Sequence, residues 1–246
     1  MTRTRLDVLL VDLGLVESRS LAQRLIMAGR VRVEGQVVYK PAVQISTSAN
    51  VSLDPGPSYV SRGGQKLAAA ILEFGLNVES RVCADVGAST GGFTDCLLVH
   101  GASRVYAIDV ARGQLHWKLR NDDRVVPIEG VNARYLESLP EPVSLVVIDA
   151  SFISLRLVIP AAIGWFPPGG GDLVALVKPQ FEAGRREASR GRGVIRDPAI
   201  HERVIREFTE FARTLGLDSK GNIESPIRGP KGNIEFLAWL HLPGQG

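Results

Sequence analysis

Apolar residues recur at two different periods along this chain, and the change of period divides it. Leu6, Leu9, Leu10 and Leu13 stand at i, i+3, i+4 and i+7, the stripe of an amphipathic helix that Gly14 ends. Ser18 is placed to cap a second helix, with Leu21, Leu25 and Ala28 on its inner face and Gly29 at its close. VRVEGQVVY (31–39) alternates around Glu34-Gly35, the pattern of a hairpin. This small α+β element ends near Leu53. DPGPSYVSRGG (54–64) carries two prolines and three glycines and reads as a linker. The expected organisation is a small domain over 1–58, a linker over 59–64 hinged at Gly63 and Gly64, and a larger domain over 65–246.

Beyond residue 64 the period changes. A helix is predicted over 65–75 and another over 94–100. Between and after them come short apolar runs: RVCADV (81–86), RVYAID (104–109), RVVPI (124–128), SLVVID (144–149) and DLVALVK (172–178). Such runs suit central strands covered on both faces. Ile200, Val204, Ile205, Phe208, Phe211, Ala212 and Leu215 give a late helix its stripe, and NIEFLAWLHL (233–242) reads as a closing strand containing Glu235. Alternation of this kind predicts a doubly wound, mostly parallel α/β sheet.

Composition narrows the classes. The 246 residues are 45% hydrophobic and 22% charged, ordinary for a globular protein. No apolar run reaches the ~18–20 residues that span a bilayer; LVIPAAIGWF (157–166) is shorter and contains Pro160. The N-terminus mixes aspartates with its apolar residues and is no signal peptide. Cys83 and Cys96 are the two cysteines, with no CxxC or CxxH spacing, so neither a disulfide nor a metal is expected and a cytoplasmic setting is. Residues 1–50 hold seven basic and four acidic side chains, a surplus equal to the whole chain's net +3. That placement points to a polyanionic partner for the small domain.

DVGASTGGFTD (85–95) falls between a strand and a helix, where glycines let backbone approach a ligand. Its spacing is neither G-x-G-x-x-G nor a P-loop. Asp109 ends the next strand, where an acid accepts ribose hydroxyls. A glycine turn led by Asp85 and followed by Asp109 is how S-adenosylmethionine methyltransferases hold methionine and ribose; the plainer alternative is a tight turn. The expected cofactor contacts are Asp85, Gly87, Ala88, Ser89, Thr90, Gly91, Gly92, Phe93, Asp109, Asn132 and Asp149. Asp149 and Lys178 each follow an apolar strand and face the same crevice. Glu235, among apolar neighbours, needs a cationic partner. Lys66 is expected in the first turn of its helix, where the dipole disfavours an ammonium by about 0.3–1 kcal/mol. A carboxylate should hold it, with Glu235 and Asp149 as candidates.

SRGGQKL (61–67), DVGASTGGFTD, DASFISL (149–155), VKPQFE (177–182), GVIRDP (193–198) and GNIEF (232–236), in this order, resemble the TlyA family, also called hemolysin A. The resemblance covers nearly the whole chain. It implies an S4-like RNA-binding domain followed by an FtsJ/RrmJ-like methyltransferase that acts on ribose 2′-hydroxyls of ribosomal RNA, at cytidine. It further implies a catalytic Lys-Asp-Lys-Glu tetrad, here Lys66, Asp149, Lys178 and Glu235. Members that modify both ribosomal subunits tend to have longer termini, so large-subunit RNA is the first expectation and small-subunit RNA the second.

Methyl transfer from a sulfonium needs an in-line, partly deprotonated hydroxyl. Lys178 is the candidate to contact it, as a base or as an orienting group. Arg3, Arg5, Arg19, Arg24, Arg30, Lys40 and Arg62 are expected to contact RNA phosphates. Arg185, Arg186 and Arg190, within AGRREASRGRGVIR (183–196), are expected in a mobile loop that closes over RNA, or in a merely exposed one. Two other readings compete. A non-catalytic RNA-binding or ribosome-assembly factor is opposed by the filled tetrad. A membrane-lytic hemolysin lacks any spanning segment or cationic amphipathic helix. DASF in place of [DNS]-PP-[YFW], and no cysteine at a crevice strand end, disfavour amino-group and carbon-5 base methylation.

Overall fold

The first leucine stripe folds as its period predicts. After β1 (Arg3–Arg5), α1 (Leu6–Asp12) buries Leu6, Leu9 and Leu10. Gly14, at φ 68°, turns the chain beyond it. Ser18 caps α2 (Arg19–Met27) by accepting from Leu21 N at 3.3 Å. The buried positions of α2 are Ala22 and Ile26, with Leu21 and Leu25 flanking them; Ala28 lies past the helix end and is exposed. Glu34 and Gly35 both take positive φ, the requirement of a two-residue hairpin turn, and join β2 (Val31–Val33) to β3 (Gln36–Val37). β4 (Gln44–Ser46) pairs with β1, and β5 (Val51–Leu53) with β2. The computed structural model describes residues 2–54, 59–184, 187, 192–229 and 231–244. It divides into two units, Met1–Ser58 and Tyr59–Gly246.

The second unit begins with α3 (Gly63–Phe74) and continues through β6 (Val82–Val86), α4 (Gly92–Val99), β7 (Arg104–Asp109), α5 (Trp117–Arg120), β8 (Val125–Glu129) and β9 (Leu145–Ile148). Then follow α6 (Ile159–Ile163), β10 (Gly170–Val177), α7 (Pro179–Glu182), α8 (Pro198–Thr214), β11 (Asp218–Glu224) and β12 (Phe236–Pro243). The sheet order is β11-β12-β10-β9-β6-β7-β8. From β10 to β8 all pairings are parallel, while β12 is antiparallel to both its neighbours.

Strand periodicity sorts the core into two layers. Leu145, Val147, Val174 and Leu176 face α3 and α4; Val146, Ile148, Leu173 and Ala175 face α6 and α8. β7 lies on one side of β6 and β9 on the other, so the order reverses between β6 and β9. Their carboxyl ends therefore flank a crevice of the kind where doubly wound sheets bind ligands.

Three further sequence expectations change. β11 (DSKGNIE) was not foreseen, because a polar edge strand shows little apolar signal. Glu235 sits one residue before β12 rather than inside it. The hinge expected at Gly63 and Gly64 is instead the first turn of α3. A Cβ on Gly64 would fall 2.3 Å from Tyr59 Cγ, and one on Gly92 would fall 2.9 Å from Gly64 N. These glycines let α3, α4 and Tyr59 meet at backbone distance. Val60 N–H is fixed as well, donating to Asp95 Oδ2 at 2.8 Å.

Gly64→Ala is therefore expected to cost about 1–3 kcal/mol through overpacking, read from the urea midpoint. A free hinge glycine would instead gain about 0.4–1 kcal/mol on the same change, so a stabilised variant would restore the hinge.

Candidate active site

The crevice is built from strand ends. Gly87, directly after β6, has φ 83°, and a Cβ there would lie 2.7 Å from the Asp149 carbonyl oxygen after β9. Only glycine allows the two strand ends to approach this closely. Ser89 N donates to Asp109 Oδ2 at 2.7 Å, and Ala111 N to Asp109 Oδ1 at 2.8 Å. The Asp109 carboxylate is thus fixed by two loop amides, and each oxygen keeps acceptor capacity for a ligand hydroxyl. A cavity of about 600 Å³ opens beside it, lined by Asp109, Gln114, Val131, Asn132 and Phe152 among others. A second cavity, of about 260 Å³, is lined by Ser61, Arg62, Lys66, Ala88, Thr90, Gly92, Phe93 and Arg228 among others. Gly87, Ser89 and Asp149 line both.

Asp85 and Gly91 line neither cavity. Side chains alternate along β6, so Asp85 shares a face with Cys83 and turns towards α4, fully buried. There Asp85 Oδ2 accepts from Thr94 Oγ1 at 2.6 Å, and Oδ1 has no partner. Gly91, at φ 96°, is pressed against Leu119 and Leu115. The two residues support the loop from below.

Burial pushes the Asp85 carboxyl up to about 7, with Asp149 and Asp109 adding to the rise and Thr94 opposing it. A carboxyl raised in the fold favours folding while protonated, so its contribution falls as pH climbs through about 7. Between pH 5 and 8 the wild-type protein is expected to lose thermal stability more steeply than Asp85→Asn. Equal slopes would show that Asp85 does not titrate there.

The tetrad residues form two ion pairs, one buried throughout and one whose carboxylate is half-buried. Lys66, in the first turn of α3 and 8% exposed, donates to Glu235 Oε2 at 2.6 Å. Glu235 is 1% exposed, and its other oxygen accepts from Gln180 Nε2 at 3.4 Å. A Cβ on Gly229 would fall 2.5 Å from Glu235 Oε1, so glycine there leaves room for the carboxylate. Lys178, directly after β10 and 7% exposed, sits 2.6 Å from Asp149 Oδ1 and donates to Ser151 Oγ at 2.8 Å. The Phe181 ring lies 5.9 Å from its ammonium. Lys66 and Asp149 reach the smaller cavity, while Lys178 and Glu235 stand behind them. The segment Lys178-Pro179-Gln180 links the pairs, through Lys178 to Asp149 and through Gln180 to Glu235.

Ser151 and Gln180 were missed as partners, although both lie inside quoted motifs. Phe152 was missed too: it is 91% exposed in left-handed backbone at φ 63°, with its ring 5.3 Å from Phe181.

In the first unit, the arginines divide by what holds them. Asp7 is fully buried in α1. It accepts from Arg5 Nε and Arg5 NH2 at 2.9 Å each, from Arg19 Nε at 3.0 Å and from Gln23 Nε2 at 2.8 Å. Arg5, with help from Gln23 and Arg19, holds the Asp7 carboxyl far below the usual carboxylate range. Arg3, Arg24 and Lys40 are exposed, and Arg30 is half-buried. Arg62 is exposed in the second unit, on the smaller cavity. Arg185, Arg186 and Arg190 lie outside the described residues; of the loop expected around them, 183, 184, 187 and 192–196 are described, and Ile195 is buried with its N–H donating to Asn233 Oδ1 at 2.9 Å.

A parallel sheet whose strand order reverses, a glycine loop at the reversal and a fixed acid one strand away define an α/β fold with a ligand crevice at its strand ends. The comparisons narrow that class. The FtsJ-like methyltransferase model matches residues 59–242, and the S4 domain model residues 4–51. The chain is 47% identical to the 16S/23S rRNA (cytidine-2′-O)-methyltransferase TlyA of Mycobacterium tuberculosis, over 97% of this chain and 90% of that one. It is 44% identical to Hemolysin A of Brachyspira hyodysenteriae, over 95% and 98%. A solved structure from Streptococcus thermophilus, assigned provisionally to the hemolysins, superposes with a TM-score of 0.74 at 46% identity, over 99% of this chain and 90% of that one. The chain belongs to the TlyA family of FtsJ-like methyltransferases. Among the described residues, no helix is long and apolar enough to cross a membrane, and no group of three or more His, Cys, Asp or Glu is placed to hold a metal ion.

Proposed function

We propose that this chain methylates the 2′-oxygen of a cytidine ribose in ribosomal RNA, with S-adenosylmethionine as donor. The observation that carries the proposal is the convergence of two lysine–carboxylate pairs where both cavities meet at Asp149. The larger cavity falls within the roughly 300–1,000 Å³ of small-molecule sites. The Asp109 carboxylate suits ribose hydroxyls, Asn132 lies on the same wall, and Gly87, against the Asp149 carbonyl, lines the seam between the cavities. When bound, the cofactor supplies a methyl carbon already made electrophilic by its sulfonium.

The protein's own part is to position the acceptor and to take its 2′-hydroxyl proton, for which the Asp149 carboxylate on both cavities is the proposed acceptor. Two N–H groups of Lys178 are engaged by Asp149 and Ser151, which aims the third at an incoming 2′-oxygen. Asp149 fixes that direction, and Lys66 with Glu235 forms the facing wall. A buried setting keeps water from competing for the methyl group. The exposed cations of the S4 domain, Arg3, Arg24 and Lys40, together with the Asp7-held Arg5 and Arg19, are proposed to grip RNA phosphates. The TlyA relative from M. tuberculosis, named for cytidine in 16S and 23S rRNA, supports cytidine in the RNA of either subunit.

The test is methyl transfer from labelled S-adenosylmethionine to isolated ribosomal RNA of each subunit, with 2′-O-methyl positions mapped. Label on ribose, lost with Lys178→Ala, is expected. No incorporation into either RNA would favour a non-catalytic RNA-binding factor.

A further inference from the structure

The smaller cavity holds more positive charge than its ion pairs use. Four charged side chains line it: Arg62, Lys66, Arg228 and Asp149. Lys66 is neutralised by Glu235, and Asp149 by Lys178. What remains is Arg62 and Arg228, both exposed and, among the described residues, without an ion-pair partner. They reach the cavity from different elements, Arg62 from the start of α3 and Arg228 from the turn before β12.

That turn is held in place. Ser225 Oγ donates to the Ile227 carbonyl oxygen at 2.8 Å, and Gly229 N donates to the Asn233 carbonyl oxygen at 2.9 Å. Ser225 N in turn bonds the Glu235 carbonyl oxygen at 2.8 Å, which ties the turn to the tetrad. The backbone bearing Arg228 is therefore fixed relative to Glu235. Two guanidiniums with no acid of their own, at the mouth of a cavity with Lys66 and Asp149 on its wall, suit an anion that arrives with the substrate.

We propose that Arg228, with Arg62, seats the phosphodiester on the 3′ side of the acceptor ribose. The 3′-oxygen is bonded to the carbon next to the one bearing the 2′-oxygen, so its phosphate is the anion closest to the reacting hydroxyl. Holding that phosphate sets both the depth and the rotation of the ribose. It also makes the acceptor an internal nucleotide, one that carries a 3′-phosphodiester. This inference rests on the ribose-methylation reading of the same site. A cofactor carboxylate has similar chemistry, and the experiment separates the two sources.

Arg228→Ala and Arg228→Lys proteins are assayed with ribosomal RNA over a range of KCl concentrations, alongside binding of S-adenosylhomocysteine. For Arg228→Ala we expect the KM for RNA to rise about tenfold, and the salt slope of RNA binding to fall by about one. S-adenosylhomocysteine affinity and the thermal midpoint should be unchanged, and Arg228→Lys should recover part of the loss. A short RNA spanning the mapped position, with a methylphosphonate 3′ to the acceptor, should lose as much with wild-type protein and nothing further with Arg228→Ala. Unchanged RNA affinity and salt slope in Arg228→Ala would overturn the seat. A loss confined to S-adenosylhomocysteine binding would overturn it too, assigning Arg228 to the cofactor carboxylate. Absence of ribose label on either RNA with wild-type protein would instead sink the reaction assignment, so the two failures are distinguishable.

Discussion

Lys178→Ala protein is expected to bind S-adenosylhomocysteine nearly as well as wild type while losing about 10²–10⁴-fold in single-turnover methyl transfer. Lys178 lines neither cavity wall, so removing it deletes no cofactor contact. What disappears is the ammonium that Asp149 and Ser151 hold, the group proposed to meet the acceptor oxygen. Lys178→Arg should not rescue, because a planar fork cannot reproduce a point donor held 2.6 Å from Asp149 Oδ1. The fold should survive, since Asp149 is half-buried and water can reach it once its partner is gone. Retention of a rate within tenfold of wild type would remove Lys178 from the chemistry.

Glu235→Ala is expected to produce the largest stability loss of any tetrad substitution, about 3–5 kcal/mol. It strands the Lys66 ammonium in a site where that residue is 8% exposed, inside the first turn of a helix. The positive end of the helix dipole adds to the cost. Urea denaturation of Glu235→Ala, Lys66→Met and the double variant Lys66→Met/Glu235→Leu separates the causes. The double variant should recover most of the stability, because an apolar pair replaces a buried ion pair without a stranded charge. It should not recover methyl transfer. If Glu235→Ala alone lost under 1 kcal/mol, water must reach Lys66 and the burial argument would fail.

How far the fold could be read from sequence follows from what burial imposes on each segment. The runs at 104–109, 144–149 and 172–178 were legible because strands covered on both faces must be continuously apolar. β11 had no such constraint: it is an edge strand whose residues alternate between exposed and half-buried, so its polar sequence hid it. In the site, the need of Glu235 for a cation was legible, and so was that of Lys66 for a carboxylate. Which lysine met which carboxylate was not, because the pairing follows from β12 entering antiparallel beside β10. The face that Asp85 takes was hidden for a related reason. Alternation along β6 sends Asp85 and Val86 to opposite faces, and only the layer arrangement shows which face α4 covers. Asp7 carried no signal at all: among exposed-looking helix residues, nothing marked it as the buried anchor of Arg5 and Arg19.

Tyr59 and Val60 bear on how the catalytic half is handled by itself. The Tyr59 ring fills the hollow over Gly64, and the Val60 amide closes on Asp95, a side chain 2% exposed. A recombinant fragment that starts at Gln65 would open that hollow and free one Asp95 oxygen. Fragments intended for crystallisation or inhibitor screening should therefore begin no later than Tyr59. In limited digestion, a protease that leaves the catalytic half intact should cut on the N-terminal side of that residue.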